Sequence, residues 1–428
     1  MDLKDSLSYA LEKTTKLGAD KVEGSINESE KRELNIEAGK MSLFRTTFQN
    51  SLSLEAIKDN KQSSISINKI DKKSIDESIE SLIENVESSQ IDEAHDISEK
   101  QDSEIFKKGN LTPNLNLMYD KLDEFNHYVK DKHKKIILEA AMLDHTANVS
   151  HVMNTNGVDF QINKGIYNFS PMFTAKDGEK TSSFNYTYFS ALELNGEIKN
   201  KAYLSELLSQ TEQQVDAFSI KEKFIGNIIV TPHCLSDFLS FIQGSIGDGA
   251  IMSGTSIYKD KVGEKIANKK FNLLSSPLDK DLASGYFVTG DSYKSKNISI
   301  IKEGVLQSHL LSLYGAKKTG GKRISNSGGA HIIPNGSESL ENIIKDTDKG
   351  ILLCRFSGGS PSDSGDFSGV AKNSYYIENG KIKHPVIETM ISGNIAQMFM
   401  NIRDVSKENI NFGDAILPWV SFDGLTIS

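Results

Sequence analysis

The sequence is poor in cysteine, in uninterrupted apolar stretches and in net positive charge, and each shortage removes a class of protein. Two cysteines, Cys234 and Cys354, stand far apart in a chain of 428 residues. They cannot build a disulfide framework, and neither belongs to a pair at metal-ligand spacing, so a reducing cytoplasm is the expected setting. No run approaches the ~20 apolar residues of a membrane span. The opening Met1-Asp2-Leu3-Lys4-Asp5-Ser6 is not a basic segment leading into an apolar one, so the chain is expected to be neither exported by a visible signal nor membrane-anchored. The net charge of −9 repels phosphate backbones and argues against direct nucleic-acid binding. The basic clusters at Lys130 to Lys135 and at Lys317, Lys318, Lys322 and Arg323 read as solvated helix ends or loops.

What is present fits a globular protein, with 37% hydrophobic and 25% charged residues. Single cores rarely grow past about 250 to 300 residues. Two domains are therefore expected, at 1–218 and 219–428, the first mixed α/β with antiparallel strands and the second β-rich, an α+β class overall.

Leu3, Leu7, Ala10 and Leu11 mark a first helix, stopped at Gly18. Val22 to Ile26, Leu34 to Ala38, Leu52 to Ile57 and Ser63 to Ile67 read as strands, with a turn at Asp59-Asn60-Lys61. Ile75, Ile79, Leu82, Ile83 and Val86 predict a helix. Glu87 to Asn114 reads as a connection, followed by a short helix from Leu115 to Val129. A five-strand meander is expected from Lys135 to Phe189, at 135–143, 151–154, 159–167, 171–176 and 180–189, with hairpin signals at Asn156-Gly157 and Asp177-Gly178. A helix is expected over Lys201 to Phe218, a buried strand over Asn227 to Thr231 and an amphipathic helix over Cys234 to Ile246. A hairpin turning at Glu303-Gly304 follows.

The stretch Gly358 to Asn394 concentrates unusual demands on the backbone. Gly358 to Asp366 has too many glycines and small polar residues for a helix or an inner strand, so it is a loop. Val370 to Ile377 and Ile382 to Ile387 form a hairpin about Asn379-Gly380, and Asn394 caps a helix whose stripe is Ile395, Met398, Phe399 and Ile402.

Several chemistries can be weighed on these residues. His233 and Cys234 are adjacent and point about 100° apart on a helix, an awkward pair for one ion. With Asp237 they read better as a capping arrangement. Serines beside glycine, such as Ser327 and Ser364, lie in no G-x-S-x-G elbow. Gly315 to Arg323 looks like a phosphate-binding loop, but Gly321 stands where lysine is needed.

Short motifs then occur in a telling order: Gly18-Ala19-Asp20, Asn154-Thr155-Asn156-Gly157, the run from Gly254 to Glu264 (GTSIYKDKVGE), Asp279 through Gly285, Glu303-Gly304-Val305, and Gly365-Asp366-Phe367-Ser368. The C-terminal order SGDFS, IENGK, PV, ISGN completes the set. The ordered set resembles the TldD/PmbA family of metallopeptidase-related proteins, also labelled modulators of DNA gyrase. In that family's catalytic branch, HExxxH on a helix grips Zn²⁺ while its glutamate takes a proton from bound water. Counting back from Gly254 by the family spacing, the metal window falls on Leu239-Ser240-Phe241-Ile242-Gln243-Gly244, which holds no usual zinc ligand and no glutamate. Asn411 to Pro418 also lacks the family's C-terminal cysteine.

The resemblance thus implies the PmbA/TldE-like branch, a non-catalytic partner of a zinc-bearing, HExxxH-carrying TldD subunit in degrading or maturing peptides, assembled as a dimer. No catalytic residue and no metal or other cofactor is expected in this chain, zinc belonging to a catalytic partner subunit. Ser364, Gly365, Asp366, Phe367, Gly393 and Asn394 are the expected peptide-facing or interface residues. The alternative placement has Phe367 in the core and Asp366 capping a turn. An active hydrolase with an unrecognised site and a regulatory protein of the gyrase-modulator kind are the rival readings.

Overall fold

The computed structural model describes residues 2–428. Helix α1 (Leu3–Lys16) starts on Asp2, whose carboxylate accepts from the Asp5 N–H, and turns Leu7, Ala10 and Leu11 inward. Strands β1 (Lys21–Glu37), β2 (Lys40–Lys58) and β3 (Lys61–Ile67) follow as an antiparallel meander. Helix α2 (Lys72–Ser88) carries the predicted stripe Ile75, Ile79, Leu82 and Val86, which shares a core with α1 and with Val22, Ile26, Leu52 and Leu54. Strand β4 (Glu104–Lys108), helix α3 (Leu115–Lys132) and strands β5 (Ile136–Asn154) and β6 (Asp159–Asp177) come next. The sheet order is β3-β2-β1-β5-β6-β4, antiparallel except where β4 lies parallel to β6.

Fewer and longer strands stand here than the hydrophobic pattern predicts. Val22 to Ile26 and Leu34 to Ala38 belong mostly to one strand of 17 residues, and the expected meander segments merge into two strands of 19 residues each. A ladder is made by backbone groups, so it runs on through Asn27 to Arg32 where side-chain alternation fades. The turn into β2 is made by Ala38 and Gly39 (φ 46° and 70°), and alanine there carries no sequence signal because it rarely adopts that conformation. Lys180 to Phe189 holds only short ladder pieces, Lys180–Thr181 and Asn185–Tyr186, with Phe189–Ala191 at its end. The helix expected over Lys201 to Phe218 is reduced to α4 (Leu204–Gln213), because Ala202 and Tyr203 adopt φ of 48° and 61° ahead of it.

In the second half, strand Phe224–Val230 lies antiparallel to Ile416–Ile427 and parallel to Lys349–Leu353 in a 13-stranded mixed sheet. Helix α5 (Pro232–Ser245) follows at once and buries Leu235, Phe238, Leu239 and Ile242 against it. These residues join Leu34, Phe125, Phe169 and Leu207 from the first half in one apolar cluster. The predicted turns at Glu303-Gly304 and Asn379-Gly380 are present, with φ of 48° and 78° in the first and 50° and 71° in the second. Val370 to Ile377 is not one strand: Asn373 (φ 51°) separates Asp366–Lys372 from Tyr375–Glu378, which pair with different neighbours. Asn394 caps helix Ile395–Met400 as predicted, but Ile402 opens the next strand while staying buried. The architecture is α+β with mixed sheets, and no described helix is long and apolar enough to cross a membrane.

Candidate functional site

Helix α5 is set by its first turn. Pro232 takes the first helical position, where its missing N–H costs nothing and its fixed φ suits the helix. Cys234, Leu235, Phe238, Leu239 and Ile242 then face the core, which leaves Ser240, Gln243 and Gly244 on the opposite side. That side is the floor of a cleft of about 580 Å³, whose far wall is made by Gly290, Asp291, Ser312, Asn326 and Ser327. Two further hollows of about 420 Å³ and 340 Å³ share Gly290 with it and extend it to the Glu23 and Glu55 face of β1 and β2.

The polar groups on the cleft floor and on its loop wall hold the loops together. Gln243 Oε1 accepts from the Gly329 N–H at 2.9 Å, and a Cβ on Gly328 would lie 2.9 Å from the Gln243 amide. Asp248 accepts from the Ser312 N–H at 3.0 Å and from the Ser312 hydroxyl, so closely that a Cβ on Gly315 would sit 1.9 Å from Oδ1. Gly315 is therefore required by close approach, within helix Leu313–Thr319, and the apparent phosphate loop is not one. Asp291 receives Arg323 through Nε and Nη2, both at 2.8 Å, together with the Leu313 N–H and the Thr289 hydroxyl. Burial alone would raise the Asp291 pKa, but Arg323 and Thr289 outweigh it and hold the carboxyl below its ordinary value.

The sheet wall behaves differently. Glu23 and Glu55 stand directly opposite each other on β1 and β2. Burial pushes Glu23 up to about 7, reinforced by Glu55 and Asp291 and only partly opposed by Ser292 and by Asn154, whose Nδ2 donates at 3.3 Å. Burial raises Glu55 as well, against a hydrogen bond from Gln62. A carboxyl held near neutrality can exchange a proton at working pH, the usual mark of a functional position. Nothing in the sequence marked this pair. The only trace is that both glutamates alternate with inward residues, Val22 before Glu23 and Leu54 and Ala56 around Glu55, and so must share the other face.

The residues expected to act from Gly358 to Asn394 form a separate cluster that does not line the cleft. Asp366 accepts from Asn394 Nδ2 at 2.9 Å and from Ser364 Oγ at 2.8 Å, and these bonds lower its pKa. Asn394 Nδ2 also donates to the Ser364 carbonyl at 2.8 Å. Ser364 and Asp366 are exposed, but Phe367 is a correction to the expected outward-facing set. It is buried against Phe238 and Phe356, at ring distances of 5.4 and 5.7 Å, because alternation along Asp366–Lys372 sends it inward. Gly393, its ladder partner, has no room for a side chain, since a Cβ would meet Leu425 at 2.3 Å. Gly365 (φ 89°) brings the loop against Phe241 of α5, so the loop and the metal window meet on one helix.

The metal fit can be judged residue by residue. Leu239 lies in the core at 1% exposure, Ser240 donates to the Ser236 carbonyl at 2.9 Å, and Gly244 has no side chain. Among the described residues, no three His, Cys, Asp or Glu side chains converge as a metal ion would need. His233 Nε2 meets Thr187 Oγ1 at 2.9 Å and the Ala202 carbonyl at 3.2 Å, and burial lowers its pKa to about 4. Cys234 points into the core, so the two do not share an ion. The residues present in the window do not fit zinc.

Comparison with known proteins adds to this geometry. Residues 225–428 match the family profile described as the PmbA/TldA metallopeptidase C-terminal domain. The chain is 29% identical over 206 residues to the metalloprotease PmbA of Escherichia coli O157:H7, a match covering 46% of this chain and 45% of that protein. It is 25% identical over 409 residues to an uncharacterised protein of Methanocaldococcus jannaschii, covering 92% and 93% of the two chains. The match to PmbA thus spans less than half of that relative. The crystal structure of TldE from Thermococcus kodakarensis superposes with a TM-score of 0.86 at 20% identity, over 99% of this chain and 100% of the other.

Proposed function

Since this chain belongs to the TldD/PmbA family of metallopeptidase-related proteins, we propose that it is a PmbA/TldE-like subunit that binds peptide and completes a peptidase assembly without itself activating water. The observation that carries this reading is the set of residues that α5 places in the family's metal window, Leu239 among them turned into the core. At the positions where the family pattern sets imidazole, carboxylate and imidazole, this helix has Leu239, Ser240 and Gly244. Leucine and glycine bind no Lewis acid, and serine is no general base.

The chain's own residues would then serve as walls. The cleft above α5 is built of loops that Gln243, Asp248 and Asp291 hold in place. Rigid loops of this kind can hold an extended peptide through backbone hydrogen bonds, which are indifferent to sequence. Hydrolysis would come from an HExxxH-bearing relative carrying the zinc, with this chain as its partner or as a second copy of itself in a dimer. The acidic net charge of −9 leaves peptide rather than nucleic acid as the ligand class.

Peptide cleavage assayed with this chain alone, with an HExxxH-bearing relative alone and with both together tests the proposal. Cleavage absent from this chain alone and raised by mixing is the expected result. Cleavage by this chain alone, abolished by a chelator, would overturn it.

A further inference from the structure

A cavity of about 720 Å³ opens between the two halves of the chain, larger than the cleft above α5 and sharing no lining residue with it. Its first-half wall runs from Phe189 to Leu192 and on to the turn Lys201-Ala202-Tyr203 ahead of α4. Lys280, Asp281, Ala283 and the segment Asn409 to Asn411 make the opposite wall. The turn is held under strain. Ala202 and Tyr203 are consecutive non-glycine residues at φ of 48° and 61°, and the Ala202 carbonyl is met by Thr187 Oγ1 and by His233 Nε2, each at 3.2 Å. Such backbone persists only where its surroundings over-determine it, and it collects at ligand sites.

The amine carried by this turn has no counter-ion. Lys201 is half-buried, and its Nζ lies over the Phe189 ring, 5.6 Å from the centroid. Among the described residues no carboxylate pairs with it. Burial lowers its pKa, Lys121 lowers it further, and no acid acts in the other direction. Lys121 is itself answered by Glu124 at 3.1 Å. A desolvated cation gains more from an anion than a solvated one does. Three acids also line the cavity, Glu193, Glu206 and Asp281, but all are exposed, so water and salt screen them. They weigh against a polyanion such as a nucleotide and leave room for a single negative charge at Lys201. Phe189, Leu192 and Ile410 give the carbon body beside that charge an apolar bed.

We propose that this cavity binds a small monocarboxylate with an apolar body, the chemistry shared by an acylated amino acid and by the last residue of a peptide, with Lys201 as its anion hook. The peptide source would add an anchor to the proposed function. The site itself does not depend on that reading, because no residue of α5 lines it, so zinc in the α5 window and binding here can fail separately.

The test titrates N-acetylleucine into the full chain in a calorimeter, with N-acetylleucinamide as the uncharged counterpart. Saturable one-to-one binding of the acid is expected, with the amide about tenfold weaker or more. Trp419, the chain's only tryptophan, packs edge-on against Tyr203 at 5.3 Å, so its emission should change with the acid and saturate at the same concentration. Lys201→Met should weaken the acid about tenfold. Lys280→Met, at an exposed lysine of the same cavity, should retain it. A leucine-ended peptide with a free carboxylate that binds more tightly than N-acetylleucine would assign the site to peptide ends, and weaker binding would assign it to free acids. Equal binding of acid and amide, no saturable binding on the order of ten millimolar, an unchanged Trp419 emission, or equal effects of Lys201→Met and Lys280→Met would each overturn the proposal. The first three need no variant, so a misfolded Lys201→Met leaves the test intact.

Discussion

The two walls of the cleft each hold a half-buried carboxyl and tune it in opposite directions. Burial is the largest influence on both Asp291, in the loop wall, and Glu23, in the sheet wall, and in both it favours the neutral acid. Asp291 nevertheless stays ionised because a guanidinium clasps it through two nitrogens, whereas Glu23 has only a hydroxyl and an amide and faces a second glutamate. A low dielectric therefore decides little by itself, and the partner's charge decides the sign. The clasped acid is fixed by its cation, whereas the unclasped one has no opposite charge to hold it ionised.

The largest effect is expected from installing an imidazole in the α5 window. Leu239→His places a polar ring at a position 1% exposed, with an expected cost of about 3 kcal/mol. Zinc should not restore the loss, because Ser240 and Gly244 supply no companion ligand.

Breaking the clasp is next in size. Arg323→Met leaves the half-buried Asp291 without its cation and should cost about 2 kcal/mol in urea unfolding at neutral pH, below the ~3–5 kcal/mol for half of a fully buried ion pair. Because the folded pKa of Asp291 lies below its ordinary 3.8, the pair's stabilisation is present at higher pH and fades as pH falls through the folded value. The variant should lose that part of the acid sensitivity.

Glu23→Gln should act with the opposite sign to Arg323→Met. The carboxyl's pKa rises from 4.5 to about 7 on folding, so ionising it costs stability progressively above the lower value and fully above the upper one. The amide should gain about 2 kcal/mol at pH 8 and nothing near pH 4, as read from paired unfolding curves. A gain at both pH values would mean that shape, not charge, sets the effect. Smallest is Gly365→Ala, where φ of 89° makes a side chain cost about 1 kcal/mol through strain alone.

Much of the fold could be read from residues whose demands are local. The stripe of α2, the cap at Asn394 and the turns at Asn379-Gly380 and Asp59-Asn60 are set by neighbours in the chain, and all stand where the pattern puts them. The long strands escaped because their ladders pass through polar stretches such as Asn27 to Arg32, where both faces meet water or loops. The candidate site divides in the same way. The helix α5 follows from its own apolar stripe, Leu235, Phe238, Leu239 and Ile242, and that part was legible, whereas the window on it was placed by the family's spacing. The Glu23–Glu55 pair, the clasp between Asp291 and Arg323 and the inward turn of Phe367 depend on partners distant in sequence or on strand registers that no local pattern contains.

The central claim is that the metal window on α5, Leu239 to Gly244, cannot hold a hydrolytic metal. Elemental analysis of the protein, purified without chelator and then dialysed against zinc, tests it most directly. Zinc far below one atom per chain after dialysis into metal-free buffer is the predicted result. One tightly held zinc per chain, released by Ser240→Ala or Gln243→Ala but not by His233→Ala, would contradict it.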